Sequence, residues 1–275
     1  GHTLRIGADY RRAAGELAED AYNASTGALT QRRFAGGENR QFGLFVENDW
    51  EAGPLMLTGG LRADRTTIAD GFFRRENAAG TVLEDNSFAT RSDWEVSWRG
   101  GALVRANDAV SLRAAAYSGF RLPTLNELYR PFVVFPVTTQ ANAALGPERL
   151  EGWEVGVDLA PQPGLSFKVT YFDNRIEGAI TNVTIATNTR QRQNLRALAA
   201  QGLEVAAGVE RGALSLDGTL TLTDAEMRGD GAAAALSGNR PAQTPTFAAS
   251  LTAAWRPFEG ALIASTLRHV SDAFE

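Results

Sequence analysis

Apolar and polar positions alternate one by one through much of the chain. Leu4, Ile6, Ala8 and Tyr10 are separated by Arg5, Gly7 and Asp9. Trp153, Val155, Val157 and Leu159 are separated by Glu154, Gly156 and Asp158, and the same beat runs through 165–171, 203–209 and 214–222. Side chains on a β-strand point to opposite faces in turn, so each run predicts a strand with one apolar and one polar face. Followed to its end, the pattern predicts about eleven strands of roughly ten residues or more.

The predicted connectors alternate in length. Short ones fall at 51–54, 106–109, 161–164, 211–213 and 257–260, where Gly, Pro, Asn or Asp supply tight-turn chemistry. Long ones are expected at 18–39, 66–91, 119–149, 174–198 and 225–244. A soluble β-sandwich or barrel would bury the apolar face, whereas a transmembrane barrel turns that face to lipid and keeps a polar interior. Strand length and the separation of short and long connectors favour the membrane barrel. Its polar face would carry Arg5, Asp9, Glu154, Asp158, Lys168, Glu204 and Asp217. Trp50, Trp94, Trp98, Trp153, Trp255, Tyr10 and Tyr171 fit interfacial girdles.

Composition removes several alternatives. No run of apolar residues is long enough for a membrane-spanning helix, which leaves a barrel open. Cysteine is absent, and His2 and His269 stand at opposite ends of the sequence. Thiol catalysis, thiolate metal sites, a multi-histidine metal centre and a Ser-His-Asp triad are therefore not expected. No nucleophile elbow, zinc-protease helix motif or phosphate loop is present. The chain reads as a non-enzyme without cofactor or metal. A net charge of −5 without a basic run argues against nucleic acid as a partner.

One stretch is denser in chemistry than the rest: "SGFRLPTLNELYRPF" (118–132) closes a predicted strand. Pro123 cannot donate to a strand ladder and holds Leu122 extended, so the strand should stop there. Thr124 and Glu127 then have the spacing of a capping box on a short helical turn. Arg121 and Glu127 are placed to pair across it. Two roles stay open for the segment: an ordered loop opening, or direct ligand contact by Arg121, Asn126, Tyr129, Phe132 and Phe135.

The segment "YSGFRLPTLNELY" (117–129) resembles a motif of TonB-dependent outer-membrane receptors. "NAALGPERLEGWEVGVDL" (142–159) is similar to the pattern that follows it there. The matching positions are Phe120, Arg121, Pro123, Asn126, Glu127, Asn142, Leu145, Pro147, Glu148 and Glu154. "VTYFDNRIEGAI" (169–180), "LAAQGLEVAAG" (198–208) and "GNRPAQTPTFAASLTAAW" (238–255) resemble later strands of that family in the same order. Residues 1–116 match only in barrel character.

The resemblance implies an all-β fold, an antiparallel up-and-down meander of about 11 strands forming part of a 22-stranded transmembrane β-barrel. Residues 1–275 would then be one partial barrel domain, truncated at both ends and without the plug domain. It further implies a bacterial outer-membrane location, contact with outer-membrane lipid and lipopolysaccharide, and coupling to the TonB complex through the plug. The expected activity is energised uptake of a scarce, bulky nutrient. The small-molecule ligand would be a metal chelate, with a ferric siderophore as the default and heme disfavoured because no histidine lies between the two main motifs. A passive porin or barrel-type adhesin without a plug is the alternative. "RQRQNLR" (190–196) reads as a charged loop arriving at a strand, or as an attractor for an anionic ligand or for lipopolysaccharide phosphates.

Overall fold

The structure, a computed structural model, describes residues 1–274. One long antiparallel meander dominates it. Its strands, in both chain and spatial order, begin with β1 (His2–Tyr22), β2 (Leu29–Ala52) and β3 (Leu55–Asn77). A short strand β4 (Val82–Phe88) folds back on the end of β3. The path continues through β5 (Arg91–Asn107) and β6 (Val110–Arg121), then β9 (Glu148–Gln162) and β10 (Leu165–Glu177). It finishes with β13 (Ala197–Arg211), β14 (Leu214–Arg228), β15 (Phe247–Trp255) and β16 (Ile263–Val270).

Between β6 and β9 lie a one-turn helix α1 (Leu125–Tyr129) and the hairpin β7 (Phe132–Val134) and β8 (Val137–Gln140). Between β10 and β13 lies the hairpin β11 (Ile180–Ala186) and β12 (Thr189–Asn194). These four short strands form a second sheet in the order β11-β12-β8-β7, closed by a parallel β12–β8 pairing. A 3-10 turn (Gly231–Leu236) follows β14.

Register carries the alternation from strand to strand. Ile6 stands opposite Val46, Val46 opposite Leu61, and Leu61 opposite Trp98, and all four are exposed. Their neighbours on the other face are charged and paired: Arg99 reaches Glu47 at 2.7 Å past the bare backbone of Gly60. Arg62 joins Asp9 at 2.6 Å and Asp64 at 2.6 Å, and Arg113 lies 3.2 Å from Asp158 and 3.5 Å from Glu154. The greasy face is the uncovered one, and the charged face is the side on which the rim elements pack. That polarity is the inverse of a water-soluble sandwich. No helix among the described residues is long and apolar enough to cross a membrane, which has no bearing on crossing by strands.

Short turns fall where the sequence predicts them, with Gly53, Gly164 and Gly212 at positive φ. The long connectors differ. Residues 18–39 are mostly the ends of β1 and β2, which pair to Tyr22 and leave only 23–28 as a turn. Much of 66–91 is likewise the far end of β3 and its partner β4. β1, β2 and β3 run for 21, 24 and 23 residues, about twice the 9–11 needed for a tilted crossing. Their outer halves therefore extend past the length a bilayer crossing requires, and there the strict alternation of apolar and polar residues lapses.

Candidate functional site

The site lies at the rim that carries the longer connectors. β6 stops at Arg121, and Pro123 is fully buried at the exit. The Thr124 hydroxyl accepts the Glu127 amide at 3.2 Å, and the Glu127 carboxylate accepts the Thr124 amide at 2.7 Å, completing the predicted capping box. Arg121 donates to both oxygens of Glu127, at 2.9 and 3.1 Å, and also to Glu148, its register partner across β6 and β9. Glu148 in turn accepts the backbone amide of Ile180 at 2.6 Å. One guanidinium thus ties the start of α1, the start of β9 and the start of β11 together.

Electrostatics follow from these contacts. Burial pushes the Glu127 carboxyl up, but Arg121 and the Thr124 amide and hydroxyl outweigh it and hold the group below its ordinary value. Bonds to Glu148 and then to Glu127 raise the Arg121 guanidinium. Burial lowers Arg192, partly opposed by Glu127 and reinforced by Arg130. Burial also raises the Tyr129 phenol.

α1 presses inward. Leu128 and Tyr129 are buried with Ala35, Ile68, Phe73 and Leu145 in one apolar cluster on the inner wall of β2 and β3. Two glycines make room: a Cβ on Gly71 would sit 2.4 Å from the Tyr129 hydroxyl, and one on Gly37 would sit 3.0 Å from its ring. Tyr129 stacks on Phe88 with ring centroids 4.9 Å apart. Asn39 donates to the Pro123 carbonyl at 3.2 Å, and Arg130 reaches Glu19 at 3.2 Å.

The second motif is fixed by backbone contacts. The Asn142 amide donates to the Glu127 carbonyl at 3.1 Å, and its side chain spans the Arg192 carbonyl and the Ala144 amide. Leu145 is buried, and its carbonyl accepts Arg91. Asn194 holds Gly146 through both its amide and its carbonyl, close to Pro147. Glu154 lies further down β9, beside Arg113.

Of the residues singled out for ligand contact, Arg121 is engaged by two carboxylates and Tyr129 is 3% exposed. The Asn126 carbonyl accepts Arg192, whose guanidinium also lies 5.1 Å from the Phe132 ring centroid. Arg192 therefore serves the end of α1, and Arg190 and Arg196 are the exposed members of the basic run. Phe120, at the outer end of β6, stands opposite Arg149. Phe135, at the tip of the β7–β8 hairpin, is 93% exposed.

Beside this assembly is a cavity of 540 Å³. Phe73, Phe88 and Tyr129 form its aromatic side, and Gln140 and Gln191 come from the small sheet. Arg33 and Arg75 enter from β2 and β3. Sequence reasoning passed over these two arginines because they fall in a predicted loop. The mirrored runs "RRF" (32–34) and "FFRR" (72–75) were the signal available. No group of three or more potential metal-ligating side chains occurs among the described residues.

An uncovered apolar face, a charged opposite face and rim elements packed on the latter are the features of a transmembrane β-barrel wall. Residues 1–274 match the TonB dependent receptor-like β-barrel model, and the chain belongs to that family, whose members are transport receptors. Solved structures agree in fold. The ferric yersiniabactin uptake receptor FyuA from Yersinia pestis superposes with TM-score 0.75 at 14% identity, over 97% of this chain and 39% of that one. The copper transporter OprC gives 0.72 at 18% identity, over 98% and 40%. The hemophore receptor HasR of Serratia marcescens, in complex with HasA and heme, gives 0.67 at 18% identity, over 98% and 52%. The chain thus spans about two fifths to one half of the length of these relatives. No curated protein sequence matches it.

Proposed function

We propose that residues 1–275 form one partial barrel domain of an outer-membrane receptor that imports a scarce, bulky nutrient with energy delivered through TonB. In this reading a plug domain of the whole protein occupies the lumen and engages the TonB complex, while lipid and lipopolysaccharide surround the exterior. A small-molecule metal chelate is the cargo, and a ferric siderophore is the first candidate. The supporting observation is the rim: α1 and the small sheet pack on the charged face beside a cavity of 540 Å³ lined by aromatic, cationic and amide side chains and by Glu84. A concave site of that size, with a few converging polar groups, is the usual form of a small-molecule site. In this reading the rim elements would narrow the lumen of the whole barrel, which suits capture better than free diffusion.

Import of radiolabelled ferric siderophores by cells expressing the whole receptor tests this, with and without TonB. The proposal expects accumulation that stops when TonB or the proton gradient is removed. Equal uptake without TonB, together with swelling of liposomes that contain the receptor, would instead identify a passive pore.

A further inference from the structure

Arg33 and Arg75 stand directly opposite one another across β2 and β3, on the inner face that lines the rim cavity. Like charges in that position oppose strand pairing. The flanking strands carry the expected compensation in register, Glu19 opposite Arg33 and Glu84 opposite Arg75. The compensation is incomplete. Glu19 gives one oxygen to Arg130 at 3.2 Å and keeps the other buried without a partner, while Arg33 donates to the Gln31 side chain at 3.4 Å and among the described residues no carboxylate pairs with it. Glu84 lies 3.4 Å from Arg75 while accepting Asn86 at 2.8 Å, and the Arg75 Nε is buried without a partner.

The remaining polar lining adds donors alongside acceptors, the amide oxygens of Asn86 and Gln140 being free among the described residues. The Gln140 side chain makes no hydrogen bond among the described residues. Gln191 uses its oxygen, which accepts Gln193 at 3.3 Å, and leaves its NH2 free. A cavity with surplus N–H groups and one shared carboxylate is matched by a ligand that brings acceptors and negative charge. Aromatic faces at Phe88 and Tyr129 supply the apolar side.

We propose that Arg33 and Arg75 form an anion-binding pair that selects a negatively charged, oxygen-rich chelate for this cavity. The inference rests on the uptake reading and names the ligand class of that site. Planar guanidinium forks bind paired oxygens bidentately, and an anion between Arg33 and Arg75 would offset their mutual repulsion.

The test uses the whole receptor in detergent, titrated with two anionic probes, iron(III)–citrate and iron(III)–catechol, and with the cationic complex ferrioxamine B. Binding is followed by quenching of aromatic fluorescence. At least one anionic probe is expected to bind more tightly than ferrioxamine B and to weaken with added salt. Whichever binds identifies carboxylate or phenolate oxygens as the recognised groups. Arg33→Gln and Arg75→Gln should each weaken it by about tenfold or more, the range of a charge-assisted contact. The thermal midpoint of the double variant should stay nearly level, because losing the Arg33–Arg75 repulsion offsets losing the Arg75–Glu84 contact. Failure of both anionic probes to bind overturns the proposal, as does wild-type affinity in the double variant or a clear fall in its midpoint. Failure of the uptake reading looks different: anion binding persists, but import is the same with and without TonB.

Discussion

Arg121 and Glu148 face each other across β6 and β9, and the guanidinium between them also clasps Glu127 at the start of α1. Two motifs separated by twelve residues of chain (130–141) are thereby one structural unit. The side chains of Arg121, Glu127 and Glu148 are engaged with one another and with the backbone at the rim. Glu148→Ala removes an acceptor from Arg121 and from the Ile180 amide together. Rim stability should fall by about 1–2 kcal/mol, since the pair is partly exposed and water relieves some of the loss. Hydrogen exchange should quicken at the starts of α1 and β11 and stay unchanged in the membrane strands.

Tyr129 needs Gly71. With a Cβ on Gly71 placed 2.4 Å from the hydroxyl, Gly71→Ala must push the ring out of its cluster. The expected cost is about 1–3 kcal/mol, typical of overpacking. Tyr129→Leu in the same molecule should recover part of it. A double-mutant cycle on the whole receptor reads the coupling, and simple additivity would show that the ring does not dock there.

Thr124→Ala removes one half of the capping box and should destabilise α1 by about 1 kcal/mol. The other half is sensitive to pH. Because Glu127 is held below its ordinary value, its contribution is present above the unfolded carboxyl's range, about 4.3, and is lost as pH falls through the folded value. Acid should therefore loosen α1 before the barrel strands. Glu127→Gln should remove that step from an acid titration of hydrogen exchange.

The regular parts of the strands were legible because one apolar and one polar face impose a period of two on the sequence. Ile6, Val46, Leu61 and Trp98 keep that period and the structure aligns them in one outward row. The capping box and the Arg121–Glu127 pair were also legible, since both depend on local spacing alone. The outer halves of β1, β2 and β3 were hidden, because a strand with no lipid contact need not alternate. Arg33 and Arg75 were hidden with them: their meeting depends on the β2–β3 register, which includes an irregularity between Gly36 and Glu38.

Leu44, Leu61 and Val96 point outward and Gln41, Asp64 and Ser97 lie on the other face, according to the strand alternation and register. An arginine at an outward position near the mid-membrane should cost about 2–4 kcal/mol, whereas polar exchange at Gln41 or Ser97 should be tolerated. Refolding of the whole receptor into lipid vesicles measures that contrast.

The most direct test of the lipid-facing wall uses spin labels. This sequence contains no cysteine, so single cysteines at 44, 61 and 96 and at 41 and 97 give unambiguous positions within it. In the membrane-embedded whole receptor, labels at 44, 61 and 96 should be accessible to oxygen and shielded from a water-soluble nickel relaxant, with the other two less open to oxygen. Strong nickel accessibility at 61 and 96, or shielding from both reagents, would place water or protein against that face and contradict the account.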